Sequence, residues 1–171
     1  EDSAENTPSS IRRAREAERR RLTVLSCGCD LCDSEEIVES LDAEEQRDVL
    51  LAFQGLCKEA IERFSGTVIQ SSDTGLVACF GYPLAFEDAP QCAIRAGLAI
   101  VQGMDAFTRR FVIHHDVSLS ALIAVHSDMA VVEDEGGEGG TFSIVGRVRS
   151  VAGHLEAVAE PNTVVISREM H

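Results

Sequence analysis

The chain has 171 residues, 44% of them hydrophobic and 26% charged, which is the length and composition of one globular domain with a core of its own. Its net charge of −14 argues against nucleic-acid binding, which needs a cationic face. No apolar run reaches the about 18–20 residues of a membrane span, and no signal peptide is visible.

Residues 1–18 read as an Arg-rich linker, polar and disordered over Glu1–Ser10 and helical from Ile11 to Arg20; six of the fifteen basic residues lie between Arg12 and Arg21. That basic run is either a solvated linker face or a docking segment for an acidic neighbour. Residues 19–171 read as one domain. Leu22–Cys29 is an apolar, β-prone run and predicts a buried strand. Asp33-Ser34 offers a cap for a short helix through Leu41, and Asp42 caps a longer one from Ala43 to Phe64. In the longer helix Val49, Leu50, Phe53, Leu56, Cys57, Ile61 and Phe64 recur at three- and four-residue spacing, so they make one buried face.

Thr67–Ser71 and Gly75–Phe80 predict a hairpin turning at Ser72-Asp73-Thr74. Asp88–Met104 predicts a third helix, with Pro90 tolerated in its first turn. Val117–Val125 and Met129–Val132 read as two strands joined at Ser127-Asp128, followed by an acidic glycine-rich loop over Glu133–Gly140. Thr141–Val145 is a strand, Gly146–Val158 a helix and Thr163–Ser167 a final strand. Hairpins and helices mixed in this way predict an α+β fold. The expected core is ferredoxin-like, βαββαβ with extra elements, with helices packed on one face of a mostly antiparallel sheet. The chain begins at Glu1 rather than Met and ends just after the strand-like VVIS, so it reads as a fragment with its C-terminal end truncated.

Six cysteines, at 27, 29, 32, 57, 79 and 92, sit mostly in apolar contexts, which suits free thiols in a reducing cytoplasm. The cluster Cys27, Cys29 and Cys32 lacks the second pair or nearby His that would complete a zinc set.

Several strings resemble the catalytic domain of class III adenylyl and guanylyl cyclases. They are Arg20-Arg21-Leu22-Thr23-Val24-Leu25, then Gly66-Thr67-Val68 with Gly75 to Pro83 (GLVACFGYP), then Glu87-Asp88-Ala89 with Ala93 to Leu98 (AIRAGL). Val145-Gly146, Val151-Ala152 and Ala159 to Ser167 (AEPNTVVIS) complete a match in unbroken order from about residue 19 to the end. The resemblance implies a ferredoxin-like core, in agreement with the pattern above, and a head-to-tail dimer with its active sites at the interface.

In that family two Asp carboxylates hold two Mg²⁺ ions, an Arg and an Asn stabilise the transition state, and a Lys and an Asp commonly select adenine. Carried onto this chain, the first metal position falls on Asp30 when aligned from the helix side and on Gly28 when aligned from the strand side. Asp30 is preferred if a bulge absorbs the extra residues. The second falls on Thr74, with Asp73 one step earlier; a neutral hydroxyl is a poor replacement for a carboxylate on Mg²⁺. The base-selecting positions read Gln70 and Ser143, the transition-state positions Ser150 and His154. At most one of the six is intact.

Arg147 and Arg149 stand at the start of the last helix, where an anion is favoured, or are plain exposed charges. His114-His115-Asp116 and His126 read either as an acid–base cluster or, for His126, as a structural histidine at a strand end. No GxSxG element, Walker-type loop or intact zinc motif is present.

The expectation is a pseudocyclase: a cyclase-homology module of a bacterial-type signalling protein that dimerises or relays a signal. Its partners are a second copy, in a weak homodimer, or neighbouring kinase, ATPase or helical-repeat domains of the same polypeptide. No cofactor is expected. Mg²⁺ or Mn²⁺ enters only under a second reading, a divergent cyclase using Asp30 and Asp73. A third reading is a nucleotide sensor without turnover.

Overall fold

The computed structural model describes residues 17–29, 35, 39, 41–111, 119–135 and 141–171. Strand β1 (Ala17–Cys29) leads to helix α1 (Ala43–Arg63), the hairpin β2 (Thr67–Ser72) and β3 (Gly75–Phe80), helix α2 (Ala89–Phe111) and strand β4 (Ala121–Asp134). Then come β5 (Phe142–Val145), helix α3 (Val148–Ala157), β6 (Thr163–Ile166) and a 3₁₀ turn at Arg168–Met170. The first six elements are the βαββαβ core, and the rest are additions. The strand order is β2-β3-β1-β4-β5, antiparallel throughout, and β6 pairs with β4 in parallel.

Asp42 starts α1 as expected: its carboxylate accepts from the Glu44 and Glu45 N–H groups, and Glu45 accepts in return from the Asp42 N–H at 3.0 Å. Alternation along β1 then builds two cores. Leu25, Cys27 and Cys29 face α1 and α2, packing with Phe53, Ile61, Phe80, Ile100, Met104 and Ile123. Leu22 and Val24 face the other way, toward Cys79, Ala130, Val132 and Val148 and Ala152 of α3. The two long helices therefore cover one face of the sheet, and the short third helix covers part of the other. Of the residues expected on the buried face, Val49, Phe53, Cys57 and Ile61 are buried; Leu50, Leu56 and Phe64 are half-buried at the margin of that core.

Three expectations are corrected. Residues 17–20 are strand rather than helix, because they pair with Ala130–Glu133 of β4, and pairing outweighs a helical composition. The sheet thus begins two residues inside the segment read as linker; residues 1–16 lie outside the described residues. Ser127-Asp128 is no turn: β4 runs straight through it beside β1. Ser127 is opposite Thr23, and their buried hydroxyls bond to each other at 2.6 Å, so two polar residues sit inside the sheet without cost to its continuity. Helix α2 continues past Met104 to Phe111, because Phe107 still has the Phe53 ring to pack on, with centroids 6.1 Å apart, and Thr108 donates to the Leu119 carbonyl at 3.2 Å. Of the short helix expected through Leu41, Glu35, Glu39 and Leu41 are described: the first two are helical, and Leu41 is a bend. No described helix is long and apolar enough to cross a membrane.

Candidate functional site

Gly28 and Thr74 stand where β1 ends against the hairpin turn, whereas Ser143 lies at the far end of the β1–β4 ladder, opposite Glu133, which pairs with Ala17. Gly28 is opposite Gly75 of β3 and Leu122 of β4. The register of β1 is unbroken with β4 from Ala17 to Cys29 and with β3 from Thr23 to Gly28, so no bulge falls within the described strand. Gly28 is therefore the β1 residue that stands beside the turn. Asp30, the preferred metal position, lies outside the described residues, as do Cys32 and His114-His115-Asp116.

Thr74 is exposed in the two-residue turn, and its hydroxyl and that of Ser72 are 3.0 Å apart in a hydrogen bond. Gly75 follows because nothing larger fits: a Cβ there would collide with the Cys27 carbonyl oxygen of β1. The hairpin backbone is thus pressed against the end of β1.

Gln70 reaches the site through an irregularity. The β2–β3 register shifts between Val68 and Gln70, so Val68 pairs with Ala78 while Gln70 pairs with Val77. Val68 packs on the α1/α2 core, and Ile69 packs on the α3 core. The extra residue reverses the alternation and turns Gln70 to the α3 face. There its side-chain oxygen accepts a hydrogen bond from the Arg149 guanidinium. The adjacent Ser150 donates to the Arg147 carbonyl at 3.0 Å, so its hydroxyl is tied to its own helix. Ser143 is half-buried on β5 opposite Glu133, and His154 is exposed on α3; neither hydrogen-bonds to another of these residues. Arg147 is the N-cap of α3 and makes no side-chain capping bond.

Sequence reasoning missed one pair. Ser26, buried on β1, donates a hydrogen bond to the carboxylate of Glu156 at the end of α3. The two are 130 positions apart, and no local pattern announces the contact. The Glu156 carboxylate lies directly over Gly28.

Among the described residues at the strand end and the turn, Gly28 has no side chain to offer a metal ion, and the Thr74 hydroxyl is engaged by Ser72. Among the described residues no group of three or more His, Cys, Asp or Glu side chains is placed to hold a metal ion. His126 is buried, with Nδ1 2.7 Å from Ser167 Oγ, so it ties β4 to the end of β6.

No protein-family model matches the chain. A protein of Rhizobium meliloti (strain 1021), itself described as uncharacterized, is 32% identical over 156 residues, which is 91% of this chain and 15% of that protein's length. The guanylyl cyclase Cya2 superposes with a TM-score of 0.80 at 21% identity, over 90% of this chain and 78% of its own. The adenylyl cyclase CyaB from P. aeruginosa gives 0.80 and 21%, over 91% and 80%. The dimeric guanylyl cyclase domain of the RhoGC fusion protein from Blastocladiella emersonii gives 0.77 and 14%, over 92% and 84%. The chain has the fold of the class III nucleotide cyclase catalytic domain.

Proposed function

We propose that this chain is a cyclase-like signalling domain that makes no cyclic nucleotide and serves as a dimerisation or regulatory module of a multidomain signal-transduction protein in the cytoplasm. One observation carries the reading: where the cyclase reaction needs a second carboxylate to hold metal ions on a triphosphate, the hairpin turn presents Thr74, whose hydroxyl is bonded to that of Ser72. The transition-state positions add a serine bonded to its own helix and an exposed histidine. A single missing transition-state donor typically costs about 10²–10³ in rate. Losses on both halves of a site shared between two chains leave an intact partner little to complement.

The much greater length of the Rhizobium relative supports a place in a larger protein. The free cysteines among the described residues support a reducing compartment. The RhoGC guanylyl cyclase domain is known both as a dimer and as a monomer, which supports weak pairing as the retained role.

The test is direct. The purified domain, with Mg²⁺ or Mn²⁺ and either ATP or GTP, is expected to give no cyclic product above the buffer blank by mass spectrometry. Turnover that disappears in Asp30→Ala would overturn the reading in favour of a divergent cyclase. Triphosphate binding by calorimetry without turnover would move it to a sensor.

A further inference from the structure

A Cβ built on Gly28 would stand 2.5 Å from Glu156 Oε1 and 3.2 Å from the Thr74 carbonyl oxygen. Real carbon and oxygen atoms do not approach to the first of these distances, so the Glu156 carboxylate occupies the space that any side chain of residue 28 must enter. It is held there by the hydrogen bond from Ser26, a residue 4% exposed on the same face of β1. The backbones at both ends are anchored: Ser26 pairs with Val77 and Ala124, and α3 buries Val148 and Ala152 against the sheet, so the hydrogen bond to Ser26 sets where the Glu156 carboxylate rests.

We propose that Glu156 is a built-in stopper: held by Ser26, its carboxylate fills the space beside Gly28 at the end of β1, where a side chain of the strand would otherwise stand. The proposal rests on the reading that the domain is non-catalytic, and it says what fills that space. The block is electrostatic as well as steric. A carboxylate aimed across the strand end repels the phosphates of a nucleotide, and its hydrogen bond to Ser26 satisfies a buried hydroxyl. Glu156 and a side chain at position 28 are then mutually exclusive occupants of one volume.

The test is a double-mutant cycle in the whole chain, read by thermal unfolding. Gly28→Ala is expected to lower Tm by on the order of 3 °C, because the carboxylate must swing away and release Ser26. In the Glu156→Ala background the same substitution is expected to cost less than half as much. In Glu156→Gln, which keeps the shape, it is expected to cost nearly as much as in the unaltered chain. Equal costs in all three backgrounds would overturn the proposal. A second readout is calorimetry with Mn²⁺ and GTP, in which the unaltered chain is expected to show no binding and Glu156→Ala measurable binding. No binding by Glu156→Ala, or binding by the unaltered chain that Glu156→Ala weakens, would overturn the proposal. Cyclic-nucleotide production by the unaltered chain bears on the proposed function alone, since the cycle at positions 28 and 156 is measured without turnover.

Discussion

Gly28 and Gly75 lie directly opposite each other in the β1–β3 ladder, and the backbone of β1 passes so close to Gly75 that a Cβ there would meet the Cys27 carbonyl carbon and the Gly28 Cα at 2.9 Å each. The end of the sheet is closed backbone against backbone, with no side chain between the strands at the point where the hairpin turns.

Gly75→Ala tests this closure. The obstructing atoms belong to the main chain and have no rotamer to escape into, so the hairpin must shift. The expected loss is about 1–3 kcal/mol of stability, the range for overpacking a fitted interior, with Gly55→Ala as a control because a Cβ there meets nothing within 4 Å. Urea unfolding of both variants measures the difference.

Phe53→Ala removes the ring at the centre of the α1–α2 contact, where Phe53 is fully buried and meets Phe107 edge-on at a centroid distance of 6.1 Å. The expected cost is about 3–5 kcal/mol. A loss under about 1 kcal/mol would mean that α1 does not pack on α2 through this residue.

Stability should fall in alkali. Burial pushes the Cys79 thiol up from 9.0 to about 12, against a smaller opposing pull from the Arg20 charge. Burial also raises Cys57, helped by its hydrogen bond with Cys27. Above about pH 9 the unfolded chain ionises these thiols while the folded chain keeps them protonated, so the folded state binds more protons and loses stability as pH rises. The contribution is fully present below pH 9 and, for Cys79, is gone by about pH 12. The slope is on the order of 1.4 kcal/mol per pH unit per thiol. Denaturant titrations at pH 8, 9 and 10 should show it, and Cys79→Ala should flatten it.

Arg149→Ala breaks the hydrogen bond to Gln70 on an exposed surface. Its effect on stability is expected to stay below about 1 kcal/mol. A larger loss would mean that this contact holds α3 to the hairpin.

Pairing is expected to be weak, since a specific interface usually buries more than about 1,000 Å² and one domain offers a limited surface. Sedimentation equilibrium over a concentration series should show a reversible monomer–dimer shift. A strictly monomeric domain at all concentrations would count against pairing through this domain alone.

Elements whose signals are local were legible in the residues alone. The capping box at Asp42 and Glu45, the apolar spacing from Val49 to Ile61, the hairpin around Asp73-Thr74 and the order of the βαββαβ core all follow from neighbours a few positions apart. The residues alone also show which types stand at the candidate positions, and so that a carboxylate is missing at 74. What long-range pairing controls emerged only in three dimensions. Arg-rich residues 17–20 became strand, and Ser127-Asp128 stayed within one, because β1 and β4 lie side by side over their length. The bulge before Gln70 turned that side chain to the α3 face. Glu156 came to rest over Gly28, 128 positions away, because the packing of α3 on the sheet brings the helix end to the strand end. A periodicity is written in adjacent residues. The volume left beside a glycine is set by whatever the rest of the chain places there.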